Sequence, residues 1–454
     1  MTSNRRDFLK NATQLSAGAA LFFASSTSLG AVIRSKNDRI PIGLIGAGGM
    51  GRGNLNTAKE WLDVVAIADV DSRRCDLANQ QLSDGKADVY KDYRKVLERN
   101  DIKVVHIATP DHWHTKPVIE AMRAGKDIYC EKPLTLTIDE GKQIRKVQKE
   151  TGRIVQVGTQ QRSQFNLFTK AVALVNEGRL GKIKKIQCAI GGAPASKSIP
   201  KAEVPKELDW DMWLGPAPKV DYLAGQEDVG NDKTSYRTNG HYEFRWWYEY
   251  SGGKLTDWGA HHVDIAAWAI AVNGQEVAPV SISGEARHPV PFVDGHPTEN
   301  DKYNTATKFN FSVKLKGGAE IVIRNDTDNG CLIEGDKGRI FVNRGKLVGA
   351  PVEQLKDEPL PEDAISKVYK GLPVEHVERK AHWSNFLHCH MNGLEPISDV
   401  HAHMEALNIC HLAGISARLG RPLNWDASSE QITGDDQANG FVARPYRSGF
   451  EIEG

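Results

Sequence analysis

One stretch constrains this chain more than any other: RIPIGLIGAGGMGRG, Arg39 to Gly53, an apolar run that ends in a cluster of glycines. A strand buried on both faces reads as a continuous hydrophobic run, so Ile40–Ile45 is expected inside a parallel sheet. Gly46-x-Gly48-x-x-Gly51 follows at once. The first glycine permits a tight turn, the second lets backbone approach a pyrophosphate, and the third lets a helix pack on its strand. Gly49 and Met50 then open that helix, whose free amides and dipole suit phosphate. The next apolar run, DVVAIADVD, carries Asp69, 18 residues past Gly51. A carboxylate there accepts both ribose hydroxyls and repels a 2′-phosphate, so NAD is the expected cofactor. Arg73 and Arg74 keep NADP as the alternative.

The alternation continues. KVVHIAT, DIYCEKP and RIVQVG read as strands, and TKPVIEAMRAG and IDEGKQIRKVQKETG read as the helices between them. This spacing predicts an α/β fold, a Rossmann-type doubly wound parallel sheet over residues 31–157. Ligands of such sheets sit beyond the carboxyl ends of the strands. Two loops lie there: TPDHWH (Thr109 to His114, with Pro110) and Glu131-Lys132-Pro133. Lys132 is thereby a candidate catalytic residue.

After Gly158 the pattern changes. IKKIQCAIGG, VSISGEARHPV, TATKFNFSVKL, AEIVIRND and GRIFVNRG are strand-like runs between Gly and Asn turns. They predict a second domain, residues 158–454, an α/β unit with an open, mainly antiparallel sheet and helices at its end. An aromatic-rich insertion, Glu207 to Trp268, interrupts the early strands. Aromatic faces suit sugar C–H faces, and Arg245, Trp246 and Trp247 are the expected exposed substrate contacts. Within the insertion, YSGGKLTDWGAHHVDIAAW puts Asp257 and His261 four residues apart, so they are expected to share a helix face. A carboxylate one turn from an imidazole can orient it and tune its basicity. His262 stands beside them as a substrate contact.

Composition removes several alternatives. Lys plus Arg and Asp plus Glu number 58 each, without a long single-sign run, which argues against nucleic acid or an anionic membrane as main partner. Cys75, Cys130, Cys188, Cys331, Cys389 and Cys410 show no CxxC spacing and read as buried thiols. The histidines of FLHCHMNG and DVHAHMEALNICH are spaced i, i+2, which faces apart on a helix, so no metal is expected. The first 30 residues read as an export leader: paired arginines Arg5-Arg6, then Phe8-Leu9-Lys10, a modest apolar run and small residues. The run is too short and polar to span a membrane.

At this point the chain resembles the glucose–fructose oxidoreductase, inositol dehydrogenase and MocA-type family. The glycine motif, Thr-Pro-x-x-x-His at 109–114, Glu-Lys-Pro at 131–133 and Gly-Gly…Asp-x-x-x-His at 252–261 stand in the family's order, and the resemblance runs from about residue 39 to the end. It implies a reaction centre of Lys132, Asp257 and His261, a cofactor lined by Thr109, His114 and Glu131, and a substrate contact from Arg162. The ending GRPLNWD…DDQANGFVARPYR looks like that of a secreted branch from glycan-degrading bacteria, and the leader resembles a twin-arginine signal in which Asn4 replaces the usual Ser or Thr. The expectation is an exported, periplasmic NAD-dependent oxidoreductase acting on a ring hydroxyl or ketone of a sugar, glycoside or cyclitol. The alternative is an NAD-dependent glycoside-cleaving or epimerising enzyme. Its cofactor would be held tightly, and homo-oligomers would form through the open sheet.

Overall fold

The computed structural model describes residues 38–230, 233–373 and 378–453. The proposed leader lies outside them.

Ile40–Ile45 is strand β1, with Ile42 and Leu44 fully buried. The turn that follows needs its glycines. Gly46 has φ +90°, and a Cβ there would sit 2.6 Å from the Ala108 carbonyl carbon; one on Gly51 would sit 2.3 Å from the Gly46 oxygen. Both close approaches seat helix α1 (Gly49–Ala58) on the sheet. Strand β2 (Leu62–Ala68) leads through Asp69 to α2 (Ser72–Ser83), and β3 is Asp88–Tyr90. Strand β4 (Val104–Ile107) feeds α3 (Asp111–Arg123), β5 (Asp127–Cys130) feeds α4 (Ile138–Thr151), and β6 is Val155–Val157. All pair in parallel in the order β3-β2-β1-β4-β5-β6. The strand order reverses between β1 and β4, where a crevice opens above the sheet. Helix α4 is bounded as its residues require: Thr137 caps it by accepting from the Glu140 amide, and Gly152 ends it in the left-handed conformation.

The second domain is built on a nine-stranded sheet. Its strands are β7 (Ile183–Ala189), β8 (Pro279–Arg287), β9 (Lys308–Leu315), β10 (Glu320–Arg324), β11 (Gly330–Gly335), β12 (Arg339–Val342), β13 (Leu347–Val348), β14 (Leu423–Asp426) and β15 (Gln431–Ile432). They run β13-β12-β11-β7-β10-β9-β8-β14-β15, antiparallel except for the β7–β10 pair. Its inner face packs on two helices. The first is α6 (Gly259–Val272), preceded by the short α5 (Lys254–Asp257). The second is α8 (Val400–Leu419), which follows α7 (Glu378–Asn392). Gly259 lets α6 approach α8: a Cβ there would lie 2.8 Å from Cys410 Sγ.

The sheets separate after Val157, but the cores do not. Trp383, Phe386 and Leu387 of α7 join Ile42, Leu44 and Leu55 in one apolar cluster, and Val400 and Met404 of α8 join another beneath β4 and β5. The C-terminal tail also returns: Arg444 pairs with Glu140 at 2.7 Å and donates to His112 O at 2.8 Å.

Candidate active site

A cavity of about 600 Å³ runs from the glycine turn to the face of the second domain. Its floor is assembled at the carboxyl ends of β1, β2, β4 and β5. Gly46, Gly48, Gly49, Met50 and Asp69 line one end; Thr109, Pro110, His114, Glu131 and Lys132 line its middle. Gly51 works from behind the lining, as the contact point of α1 with the turn.

Each of these side chains is held by its neighbours. Asp69 accepts from the Ala47 amide through Oδ2 (2.7 Å) and from the Asp71 amide through Oδ1 (2.9 Å), so its carboxylate ties the glycine turn to the end of β2. Burial pushes its pKa up, against those two amides and Arg74. Arg73 is committed to Asp71 (2.7 Å), whereas Arg74 reaches toward Gly48 and lines the cavity. His114 spans the two loops, its ring nitrogens 2.8 Å from Pro133 O and 2.8 Å from Thr109 O; burial holds it neutral, at about 4. Glu131 accepts from Asn54 Nδ2 of α1 (2.6 Å) and from Gln160 Nε2 (3.1 Å). The hydroxyl of Thr109 is buried without a partner. An orphaned hydroxyl and a glycine cradle in one crevice fit a dinucleotide, whose polar groups would satisfy them.

The second domain closes the other end. The Lys132 ammonium donates to Asp257 Oδ1 (2.6 Å) and to the Asp257 carbonyl (3.1 Å). Arg245 approaches the same Oδ1 at 3.6 Å. Burial alone would raise the Asp257 pKa; Lys132 and Arg245 overcome it and hold the group at about 2. His261 faces the same cavity. Its Nδ1 is buried with no hydrogen-bond partner, and burial, then Lys132 and Arg344, hold its pKa well below the usual 6.5. The imidazole is therefore neutral and able to accept a proton.

Several sequence expectations are corrected here. Asp257 and His261 do not share a helix turn, because the chain breaks at Trp258 between α5 and α6. The hydrogen-bond partner of the Asp257 carboxylate is Lys132, so it positions the lysine rather than the imidazole. Arg162 does not reach the cavity. It is 4% exposed and makes a two-pronged ion pair with Asp264 (2.7 and 2.8 Å), with Ile397 O as a third partner. His262 is a core histidine, its ring nitrogens 3.2 Å from Gln161 Oε1 and 3.0 Å from Asn329 Oδ1. Trp246 and Trp247 are buried in an aromatic cluster with Trp210, Trp213 and Tyr303. Arg245 lines the cavity as expected, stacked over Phe244 (4.6 Å) and Tyr242 (4.8 Å).

Other functional residues went unnoticed in the sequence. Asp111, the first residue of α3, lines the cavity and accepts from Ser251 Oγ at 2.6 Å; burial pushes it up to about 7 despite Arg245. It lies inside the 109–114 loop, so its position was legible and its burial was not. Trp213, Tyr242, Trp258 and Arg344 also line the cavity. The six cysteines are all buried and unpaired. Of the helical histidines, His390 pairs with Asp127 (2.7 Å) and His403 accepts from the Leu134 amide (3.3 Å).

Residues 40–159 match the model described as oxidoreductase family, NAD-binding Rossmann fold, and residues 194–452 match the model of that family's C-terminal alpha/beta domain. Similar proteins include an inositol 2-dehydrogenase of Rubrobacter xylanophilus, 34% identical over 134 residues, and a glycosyl hydrolase family 109 protein of Shewanella pealeana, 31% identical over 169 residues. The first alignment covers 29% of this chain and 38% of that protein, the second 32% and 36%; the chain thus spans less than half the length of either. Among solved structures, the WlbA dehydrogenase of Bordetella pertussis in complex with NADH and UDP-GlcNAcA superposes with a TM-score of 0.58 at 17% identity, covering 86% of this chain and 99% of that one. The aldose-aldose oxidoreductase of Caulobacter crescentus gives 0.56 at 18%, covering 85% and 99%. These likenesses show the fold. With both family models matched across the two domains that form the cavity, the chain belongs to the Gfo/Idh/MocA oxidoreductase family, and its first domain is the family's NAD-binding Rossmann domain.

Proposed function

We propose that the protein oxidises a ring hydroxyl of a sugar, glycoside or cyclitol, or reduces the matching ketone, with NAD. One observation carries this reading: the Lys132 ammonium, fixed 2.6 Å from Asp257, and the neutral imidazole of His261 line one cavity with the dinucleotide cradle. NAD, when bound, supplies the hydride acceptor. Lys132 donates to the substrate oxygen and stabilises its developing negative charge. Asp257 keeps the ammonium aimed. Neutral His261 takes the hydroxyl proton. Arg245 and Trp213 bound the substrate. The test is nicotinamide absorbance on mixing the purified protein with a panel of glycosides and cyclitols. Reduction by at least one of them, abolished in Lys132→Ala, supports the reading; no response to any sugar, with NAD bound, counts against it.

A second reading is favoured by Asp111. In it the sugar is oxidised, loses its glycosidic substituent by elimination or is epimerised, and is then reduced again. Such a cycle needs a group to remove a hydrogen next to a ring ketone, and a cavity carboxyl titrating near neutrality suits that task. The name of the Shewanella relative supports the same direction. Sustained release of aglycone with no added acceptor distinguishes it from simple dehydrogenation, which stalls after one turnover if the cofactor is retained.

Export through a twin-arginine route and a tightly held cofactor belong to the same proposal. At an on-rate of ~10⁶ per molar per second, retention for an hour needs about 13 kcal/mol. Dinucleotide released by denaturing the purified mature protein tests it. Self-association across the open sheet is included. On that sheet Lys185 and Lys314 each pair with Glu320, at 3.7 and 3.0 Å, a polar surface whose self-association sedimentation velocity at two salt concentrations would reveal.

A further inference from the structure

Trp258 is flanked by two cations. The Lys254 ammonium lies 5.4 Å from its ring centroid and the Arg344 guanidinium 4.7 Å. Among the described residues neither forms an ion pair within 4 Å; their attraction is to Asp257, further off. Asp257 is already the partner of Lys132 at 2.6 Å and of Arg245 at 3.6 Å. Four cations thus converge on one carboxylate that is ionised throughout the neutral range. The other acids lining the cavity here are Asp111, pushed up to about 7 by burial, and Glu131, raised by burial and held by Asn54 and Gln160; neither lies against Arg344. Lys254 stands behind the indole, whereas Arg344 and Arg245 line the cavity.

The excess is not explained by the dinucleotide. Its phosphates belong at the amino end of α1, where Gly48 and Gly49 present amides and Arg74 supplies a charge. Arg344, Arg245 and Lys254 all come from the second domain, and Trp258, which carries two of them, lies with its ring centroid 6.1 Å from that of His261. A guanidinium spread over an indole face keeps its in-plane N–H groups free for a planar or tetrahedral anion.

We propose that the substrate bears an anionic group, a carboxylate, sulfate or phosphate on the sugar, received by Arg344 and Arg245 beside His261. The proposal rests on the carbohydrate reading above and narrows it to acidic or esterified saccharides. It also gives the positive field a purpose. Arg344 is among the charges that suppress His261 basicity. An anion against Arg344 offsets that suppression, so a charged substrate would strengthen the base that acts on it, and a neutral sugar would not.

The test is calorimetric titration of the full chain loaded with NADH. The probes are matched pairs of methyl glycosides and methyl glycuronides in gluco, galacto and manno configuration, with the corresponding hexose 6-sulfates and 6-phosphates as further arms. In any pair that binds, the anion is expected to bind at least about tenfold more tightly, with the advantage shrinking at high salt. Arg344→Gln is expected to reduce the ratio to less than about threefold. The arm with the largest ratio identifies the anion. Neutral members binding as well as anionic ones overturn the inference and leave the carbohydrate reading standing, as does an undiminished ratio in Arg344→Gln. No binding by any member, with NADH still held, overturns both.

Discussion

Lys132 belongs to the first domain and Asp257 to the second, and their 2.6 Å contact is the closest charged link across the cavity that both line. The pair is positioned from two sides: Lys132 by the loop that closes β5, Asp257 by the short α5 that starts at Gly253. That glycine has φ +65° and lies against Thr305.

Lys132→Met is therefore expected to lower turnover by ~10²–10⁴-fold, the usual span for a general acid–base group. Asp257 retains Arg245, so the melting temperature should fall little and the dinucleotide should remain bound. Steady-state rates, a thermal melt and nucleotide release on denaturation check all three.

Arg162→Met should behave in the opposite way. It leaves Asp264, 1% exposed, buried without its counter-charge. Breaking a buried pair from one side costs about 3–5 kcal/mol. Urea unfolding is expected to show that loss, with substrate KM within about twofold of the parent, because Arg162 lies outside the cavity.

Asp69→Ser removes the carboxylate that accepts the Ala47 and Asp71 amides. The glycine turn loses its tie as well as its ribose acceptor. At about 1.5–3 kcal/mol for a hydrogen bond to a charged group, NAD affinity should drop ~10–100-fold. NADP, freed from charge repulsion, should lose less. Fluorescence titration with both nucleotides measures the difference.

Stability should decline with acid well above the range of ordinary carboxylates. His106, His112, His114, His262, His382 and His403 are each buried to 2% exposure or less. Burial holds His112 and His403 at about 3 and the other four at about 4. The unfolded chain protonates these rings from about 6.5. It then binds more protons than the native state, so their contribution is fully present above that value and is lost as the pH falls toward 4. Each ring adds up to ~1.4 kcal/mol per pH unit in that window. The carboxyls that burial raises, Asp111 at about 7 together with Asp69, Glu131, Asp264 and Glu405, have the opposite sign and offset part of this loss. Melting temperatures from about pH 7.5 down to about pH 5 should fall steadily.

What could be read from the sequence follows physical range. The β1 run, the glycine turn and Asp69 are local: apolar pattern and backbone geometry specify them within thirty residues. The loops at 109–114 and 131–133 were legible because a parallel sheet directs its strand ends to one crevice. Lys132, Asp257 and His261 do line one cavity, but the partnership within them was misread. Spacing four apart assumed an unbroken helix, and the break at Trp258 hands Asp257 to a lysine 125 positions away. The family resemblance points Arg162 at the substrate, and residue type and neighbourhood point His262 and Trp246 there, whereas burial gives each a partner or a packing place inside the core. Asp111 and Arg344 were missed for the converse reason. An acid at the start of a helix and an arginine in a hairpin look ordinary until the fold brings them into one cavity with His261.

The return of α7 and α8 has a consequence for how the protein is made. Domains generally fold as units during synthesis, the amino-terminal one first. Here the nucleotide domain draws part of its core from residues made late. Trp383, Phe386 and Leu387 complete the apolar layer under α1, Met404 fills the space above Gly141, and the Arg444 guanidinium locks onto Glu140. Until α7, α8 and Arg444 are in place, the sheet that carries the glycine turn lacks part of its apolar cover. A polypeptide truncated before α7 is therefore expected to lack a competent dinucleotide site, however intact its glycine motif.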